Sequence, residues 1–174
     1  MNISTPLKDV SENDPISLAE LNAFTGGGIY PQEWMKYREG SSRHLGWNGW
    51  AALYGAQWFF YRKLYIQGVL SAVVEQISLS PIFLFSDFWK NLIGAEDAVF
   101  YLLGAGWLLT VRVFIGYWAN IAYYKKAVSV IREVDLLNLD NEAHLRVIKH
   151  EGGINFPAFL LMYAIYAIVI HFSR

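Results

Sequence analysis

The stretch FPAFLLMYAIYAIVIHF, Phe156 to Phe172, decides the fold. No charge occurs between Glu151 and Arg174. A helix needs about 20 predominantly apolar residues to cross a 30 Å hydrocarbon core. Asn155 to Phe172 is such a stretch, and Pro157 stands where a first helical turn tolerates a missing N–H. Two more runs precede it. Between Lys63 and Asp87 the only charge is Glu75, and between Asp97 and Lys125 the only one is Arg112. The three charge-poor stretches hold 72 of 174 residues but 2 of 29 charges, where even spacing gives about 12. Leu64–Phe85, Ala98–Tyr124 and Asn155–Phe172 are therefore read as three transmembrane helices. The first is the most interrupted, by Gln67, Glu75, Gln76 and Pro81. A soluble bundle with these runs buried in its core should show polar faces at helical period, which the runs lack.

Composition narrows the classes further. Fourteen Lys and Arg against fifteen Asp and Glu give a formal charge of -1 and no electrostatic case for nucleic acid. Cysteine is absent, which removes disulfides, thiolate metal sites and cysteine nucleophiles together. The first 60 or so residues are mostly polar, without the basic stretch and apolar core of a cleavable signal. Orientation follows the basic residues of short loops. Ser86–Asp97 holds one, Lys90, beside Asp87, Glu96 and Asp97, whereas Lys125–Glu151 holds Lys125, Lys126, Arg132, Arg146 and Lys149. Arg62 and Lys63 stand directly before the first span. The expected arrangement places the N-terminus and middle loop in the cytoplasm, and the acidic loop and C-terminus on the opposite side.

Leu45–Tyr61 is uncharged, yet only Arg62 and Lys63 separate it from the first span, too little to turn between two antiparallel spanning helices. Trp47, Trp50, Tyr54, Trp58, Tyr61 and Tyr65 recur at steps of three and four, one stripe about 80° wide on a helix. Gly49, Ala52 and Ala56 oppose it, small enough for close helix approach. This predicts a single helix in the cytoplasmic interface, aromatic side toward lipid. Core packing of a helical protein is the plainer alternative for the same stripe. A nucleic-acid stacking platform needs interleaved basic residues, and none occurs.

The segment WNGWAALYGAQWFFYRKLY, Trp47–Tyr65, resembles the aromatic signature of the domain-of-unknown-function 2628 family (DUF2628) of small bacterial inner-membrane proteins. Asn48, Ala51, Gly55, Trp58, Tyr61, Arg62, Lys63 and Tyr65 keep the spacing of its pattern. Gly49 stands where that family usually has Trp, and Ala56 where it usually has Pro. GYWANIAYY is similar to a second family segment, through Gly116, Asn120 and Tyr123. GGIN, Gly152–Asn155, resembles a Gly-Gly pair before the family's last apolar segment. The resemblance runs from about Ile29 to Phe172. It implies location and architecture but no catalytic residues, since the family has no established activity.

Ionisable residues inside spans are costly and are functional candidates by default. Glu75 lies 12 residues past Lys63, roughly 18 Å of helix rise, and Arg112 lies 13 before Lys125, roughly 20 Å from the same side. Gly68, Ser71, Ala72 and Glu75 share one side of the first span. Arg112, Gly116 and Asn120 form a polar stripe on the second. An intramembrane Glu75–Arg112 ion pair is expected. It either fixes helix register or, with Asn120, carries an ion or proton step.

Catalytic and metal sites are not evident. His44, His144, His150 and His171 lack metal-ligand spacing, so no metal or cofactor is expected. Gly26-Gly27-Gly28 reads as a hinge, since no phosphate-loop Lys follows. Neither a Gly-x-Ser-x-Gly elbow nor a Ser-x-x-Lys pair occurs. Asp135, Asp140, Glu142, His144 and Glu151 read as the solvated face of a helix.

Residues 1–28 read as loose chain around a helix at Ser17–Ala23, and Pro31–Arg38 as a short helix. In the middle loop, Val130, Ile131, Val134 and Leu137 form one apolar set. Leu145, Val147 and Ile148 form another after the N-cap Asp140. The fold class expected is all-α: three transmembrane helices, an aromatic interfacial helix and a small cytoplasmic helical layer. Its divisions are 1–44, 45–124, 125–154 and 155–174. The leading function is a non-enzymatic bacterial inner-membrane protein that binds a protein partner, of accessory or immunity type. A homo-oligomeric ion or solute conduit is the alternative, and a lipid-modifying enzyme a distant third.

Overall fold

The computed structural model describes residues 16–94 and 97–172. The first fifteen residues, read above as loose chain, lie outside it, as do Glu96 and the side chains of Pro81 and His171. Every described element is an α-helix: α1 (Leu18–Thr25), α2 (Tyr30–Arg38), α3 (Gly49–Tyr54), α4 (Ala56–Tyr61), α5 (Tyr65–Leu84), α6 (Ser86–Ile93), α7 (Asp97–Asp135), α8 (Asn141–Glu151) and α9 (Phe156–Phe172). They divide into two compact units that the consecutive divisions of the sequence do not separate. One combines the described part of Met1–Gly46 with Ile121–Ile154, and the other Trp47–Asn120 with Asn155–Arg174.

In the first unit, Ser17 and Glu20 form a capping box that starts α1: the Glu20 N–H donates to Ser17 Oγ at 3.2 Å, and the Ser17 N–H to Glu20 Oε2 at 2.6 Å. Two orphan donors are thereby satisfied reciprocally. Gly26 ends α1 with a left-handed conformation, and Pro31 opens α2. Tyr123 is fully buried, its ring 5.4, 5.5 and 5.2 Å from those of Phe24, Tyr30 and Trp34. Leu21, Ile131 and Ile148 complete this core. Asp140 caps α8 by accepting the Ala143 N–H at 2.9 Å. The expected apolar set is trimmed. Ile131 and Val134 are buried, but α7 ends at Asp135 and leaves Leu137 exposed.

The second unit departs from expectation in two places. The aromatic run is not one helix: α3 and α4 are separated at Gly55, whose φ 54°, ψ -127° is open in practice to glycine alone. The break turns the aromatic residues onto different faces, so Trp50 is 63% exposed while Trp58 is 4% exposed. Asn48 caps α3 through the Ala51 N–H at 2.9 Å, and its own N–H donates to the Gly116 carbonyl of α7 at 3.1 Å. Five residues on, Leu53 lies beside Arg112, one turn further toward the start of α7. After Gly55 the chain returns, with Phe59 against the Trp118 ring at 5.0 Å and Tyr61 accepting the Asn155 N–H at 2.7 Å. The two short helices thus form a hairpin, α3 descending along α7 and α4 coming back between α5 and α9.

The second departure is the supposed loop at Ser86–Asp97, most of which is α6, closed by Gly94. Its exposed Phe88, Trp89 and Leu92 gave no period long enough to read in eight residues. Among the described residues, Val99–Asp135 and Asn141–Ile168 are long and apolar enough to cross a membrane, the apolar part of the second being α9. The chain buries 17% and 6% of their apolar windows, far less than a soluble core helix would show.

Candidate functional site

The Gly55 break leaves backbone groups without helical partners: carbonyls at the end of α3 and N–H groups at the start of α4. Both ends are met by charged side chains from the neighbouring helices. Arg112 Nη1 donates to the Leu53 carbonyl at 2.9 Å. The Ala56 N–H donates to the Glu75 carboxylate. Each charge matches the helix end it meets, a cation at a C-terminus and an anion at an N-terminus. Arg112 Nη2 closes the arrangement on Glu75 Oε2 at 2.9 Å, and Ser71 Oγ donates to Glu75 Oε1 at 3.3 Å. Glu75 is 2% exposed. Gly55 admits no side chain here, because a Cβ would run into Glu75 Oε1 and the Arg112 guanidinium.

Asn120 lies two turns along α7, where its Oδ1 accepts from Asn48 Nδ2 at 3.0 Å, and both residues are buried. Gly116, between them, lets α3 approach: a Cβ would meet the Trp47 indole and the Asn48 carbonyl. Trp47 Nε1 also donates to the Val113 carbonyl at 3.1 Å. The α7 stripe of Arg112, Gly116 and Asn120 is therefore covered along its length by α3 of the same chain. Tyr166 of α9 comes within electrostatic reach of Glu75 and Arg112. Its hydroxyl, like Arg112 Nε, is buried without a protein hydrogen-bond partner.

The other residues singled out in the sequence serve the hairpin's exit. Lys63 takes a left-handed φ of 57°. The Lys63 N–H donates to Phe60 O at 3.1 Å and the Leu64 N–H to Phe59 O at 2.8 Å, the two bonds of a Schellman turn. That turn joins α4 to α5 through Arg62, Lys63 and Leu64. Arg62 lies over the Tyr61 ring at 5.5 Å. Tyr65 Oη accepts from Asn155 Nδ2 at 2.8 Å, while Asn155 Oδ1 caps α9 through the Ala158 N–H at 3.0 Å. Trp58 packs edge-on against Phe59. Tyr123 alone belongs elsewhere, in the core of the first unit.

The sequence brought Glu75 and Arg112 to one depth but missed what they hold, since nothing in a 17-residue aromatic run marks a break except Gly55. It also read His144 and Asp135 as solvated. Their side chains are 13% and 25% exposed, and His144 Nε2 lies 3.0 Å from Glu20 Oε1 of α1 and 3.5 Å from Asp135 Oδ1. This grouping joins three helices, so no local spacing could reveal it.

Among the described residues, the fold and cluster define an all-helical arrangement with two helices long and apolar enough to cross a membrane and a charge pair closed inside one unit. The family model described as Protein of unknown function (DUF2628) matches residues 30–128, more than half of the chain, and the chain belongs to that family. The match takes in the two segments at Trp47–Tyr65 and Gly116–Tyr124 and stops before Gly152–Asn155, short of the resemblance read from sequence. No curated protein and no solved structure matches the chain.

Proposed function

We propose that the protein is a non-enzymatic component of a bacterial inner membrane, with α5, α7 and α9 as three spans and the α3–α4 hairpin re-entering the bilayer from the cytoplasmic side. Broken helix inside a membrane is tolerated where its backbone groups are satisfied by protein. Arg112 and Glu75 do this at Gly55. The ion pair is structural in this reading, and α6 lies in the opposite interface with Phe88, Trp89 and Leu92 toward lipid. The protein acts by binding an acidic segment of a protein partner.

One observation carries the binding role. In the first unit a groove of about 610 Å³ is lined by Arg38, Tyr124, Lys125, Arg132 and Leu136 among others, with Glu133 its one acidic residue. Leu137 and Leu139 extend the exposed apolar surface beyond Leu136. Three cations, an aromatic ring and leucines suit an acidic segment carrying apolar anchors. The test is a crosslinking pull-down of the tagged protein from its own membranes, beside Lys125→Glu/Arg132→Glu. Recovery of one stoichiometric protein by the wild type and its loss in the variant is expected. A pure homo-oligomer, or a partner retained by the variant, would overturn the assignment.

A conduit is favoured by a single feature, the buried, unpartnered Tyr166 hydroxyl beside Glu75. Against it, α3 covers the polar stripe that would line a shared pore. Ion flux in proteoliposomes that is abolished by Glu75→Gln would restore that reading.

A further inference from the structure

We infer that Glu20, Asp135 and His144 form a binding site for a divalent first-row metal ion, best suited to zinc. Glu20 comes from α1, Asp135 from the last position of α7, and His144 from the first turn of α8. One ligand atom from each lies within 4.8 Å of the other two. His144 Nε2 is 3.0 Å from Glu20 Oε1 and 3.5 Å from Asp135 Oδ1. Ligands about 2.0 to 2.2 Å from a common zinc ion stand about 2.9 to 3.5 Å apart at angles between right-angled and tetrahedral. One imidazole nitrogen and two carboxylates supply a borderline-to-hard set suited to such an ion.

Two features favour a cation over a bare ion cluster. Asp135 ends a 39-residue helix, where a carboxylate opposes the helix dipole and gains from a cation in front of it. Glu20 is aimed before any ion arrives, since its Oε2 accepts the Ser17 N–H at 2.6 Å and leaves Oε1 facing the other two. Outer hydrogen bonds of this kind commonly fix metal ligands. The site would clamp α1, α7 and α8 of the first unit, with remaining positions on the ion open to water or a partner's carboxylate.

The test uses the full-length, tag-free protein in detergent, stripped with a chelator and titrated with zinc chloride by calorimetry. Cobalt absorption and the melting temperature are followed alongside. The expected result is one zinc per chain and a raised melting temperature. His144→Gln and Asp135→Asn should weaken binding by about a hundredfold or more, beyond the loss usual for outer-shell changes. Glu142→Gln, on the same helix but with its side chain 83% exposed, should leave binding intact. If His144→Gln does not fold, Glu20→Gln decides, because its amide oxygen can still accept the Ser17 N–H. Zinc binding equal in wild type and Glu20→Gln would overturn the site. So would a loss of melting temperature in His144→Gln that is the same with and without zinc.

Discussion

Glu75 and Arg112 each answer an orphaned end of a broken helix and each other, so removing one strands several groups at once. Breaking a buried pair from one side costs about 3 to 5 kcal/mol, because the survivor is left uncompensated. Glu75→Gln and Arg112→Gln should each lose about that much in thermal or denaturant unfolding in detergent. The double variant should lose clearly less than the two singles combined, and simple additivity would refute the coupling. At Gly55 the strain and the collision act together, so Gly55→Ala should destabilise by at least about 1 to 3 kcal/mol. Sequence carried this site only halfway. Counting residues from Lys63 and Lys125 matched the depths of the two charges, because helix rise is regular. Leu53 and Ala56 were invisible, because a backbone carbonyl or N–H has no signature in side-chain identity.

At the scale of elements, the hairpin depends on how α4 turns into α5. Lys63 holds a left-handed conformation, costly for a residue with a Cβ by about 1 to 2 kcal/mol. Lys63→Gly should therefore raise the unfolding midpoint and Lys63→Val lower it, both read by thermal denaturation in detergent. The Asn155 side chain caps α9 and ties it to Tyr65, so Asn155→Ala should cost about 1 to 2 kcal/mol. The long helices were legible as apolar runs, yet their ends were not. Α7 continues as one helix past Tyr124 to Asp135 because no glycine or proline follows Gly116 to stop it. In α3–α4 the period of the aromatics was correct through each short helix and misleading across them. A single φ at Gly55 resets the phase of every residue that follows.

For the whole molecule, the sequence separated charge-poor from charge-rich stretches well, since that is a property of composition. It could not foresee that the described part of Met1–Gly46 joins Ile121–Ile154, because Tyr123 meets Phe24, Tyr30 and Trp34 across about a hundred residues of chain. The central claim concerns the bilayer: three spans, and a hairpin whose tip reaches the level of Arg112 from the cytoplasmic side. The absence of native cysteine makes this directly measurable. Single cysteines at Glu39, Leu53 and Asp87 would be tested in intact cells and in inverted vesicles with a membrane-impermeant maleimide. The account predicts that Glu39→Cys labels only in inverted vesicles, Asp87→Cys only in intact cells, and Leu53→Cys in neither until detergent is added. Labelling of Leu53→Cys in inverted vesicles as rapid as that of Glu39→Cys would contradict it, and would leave the hairpin on the membrane surface.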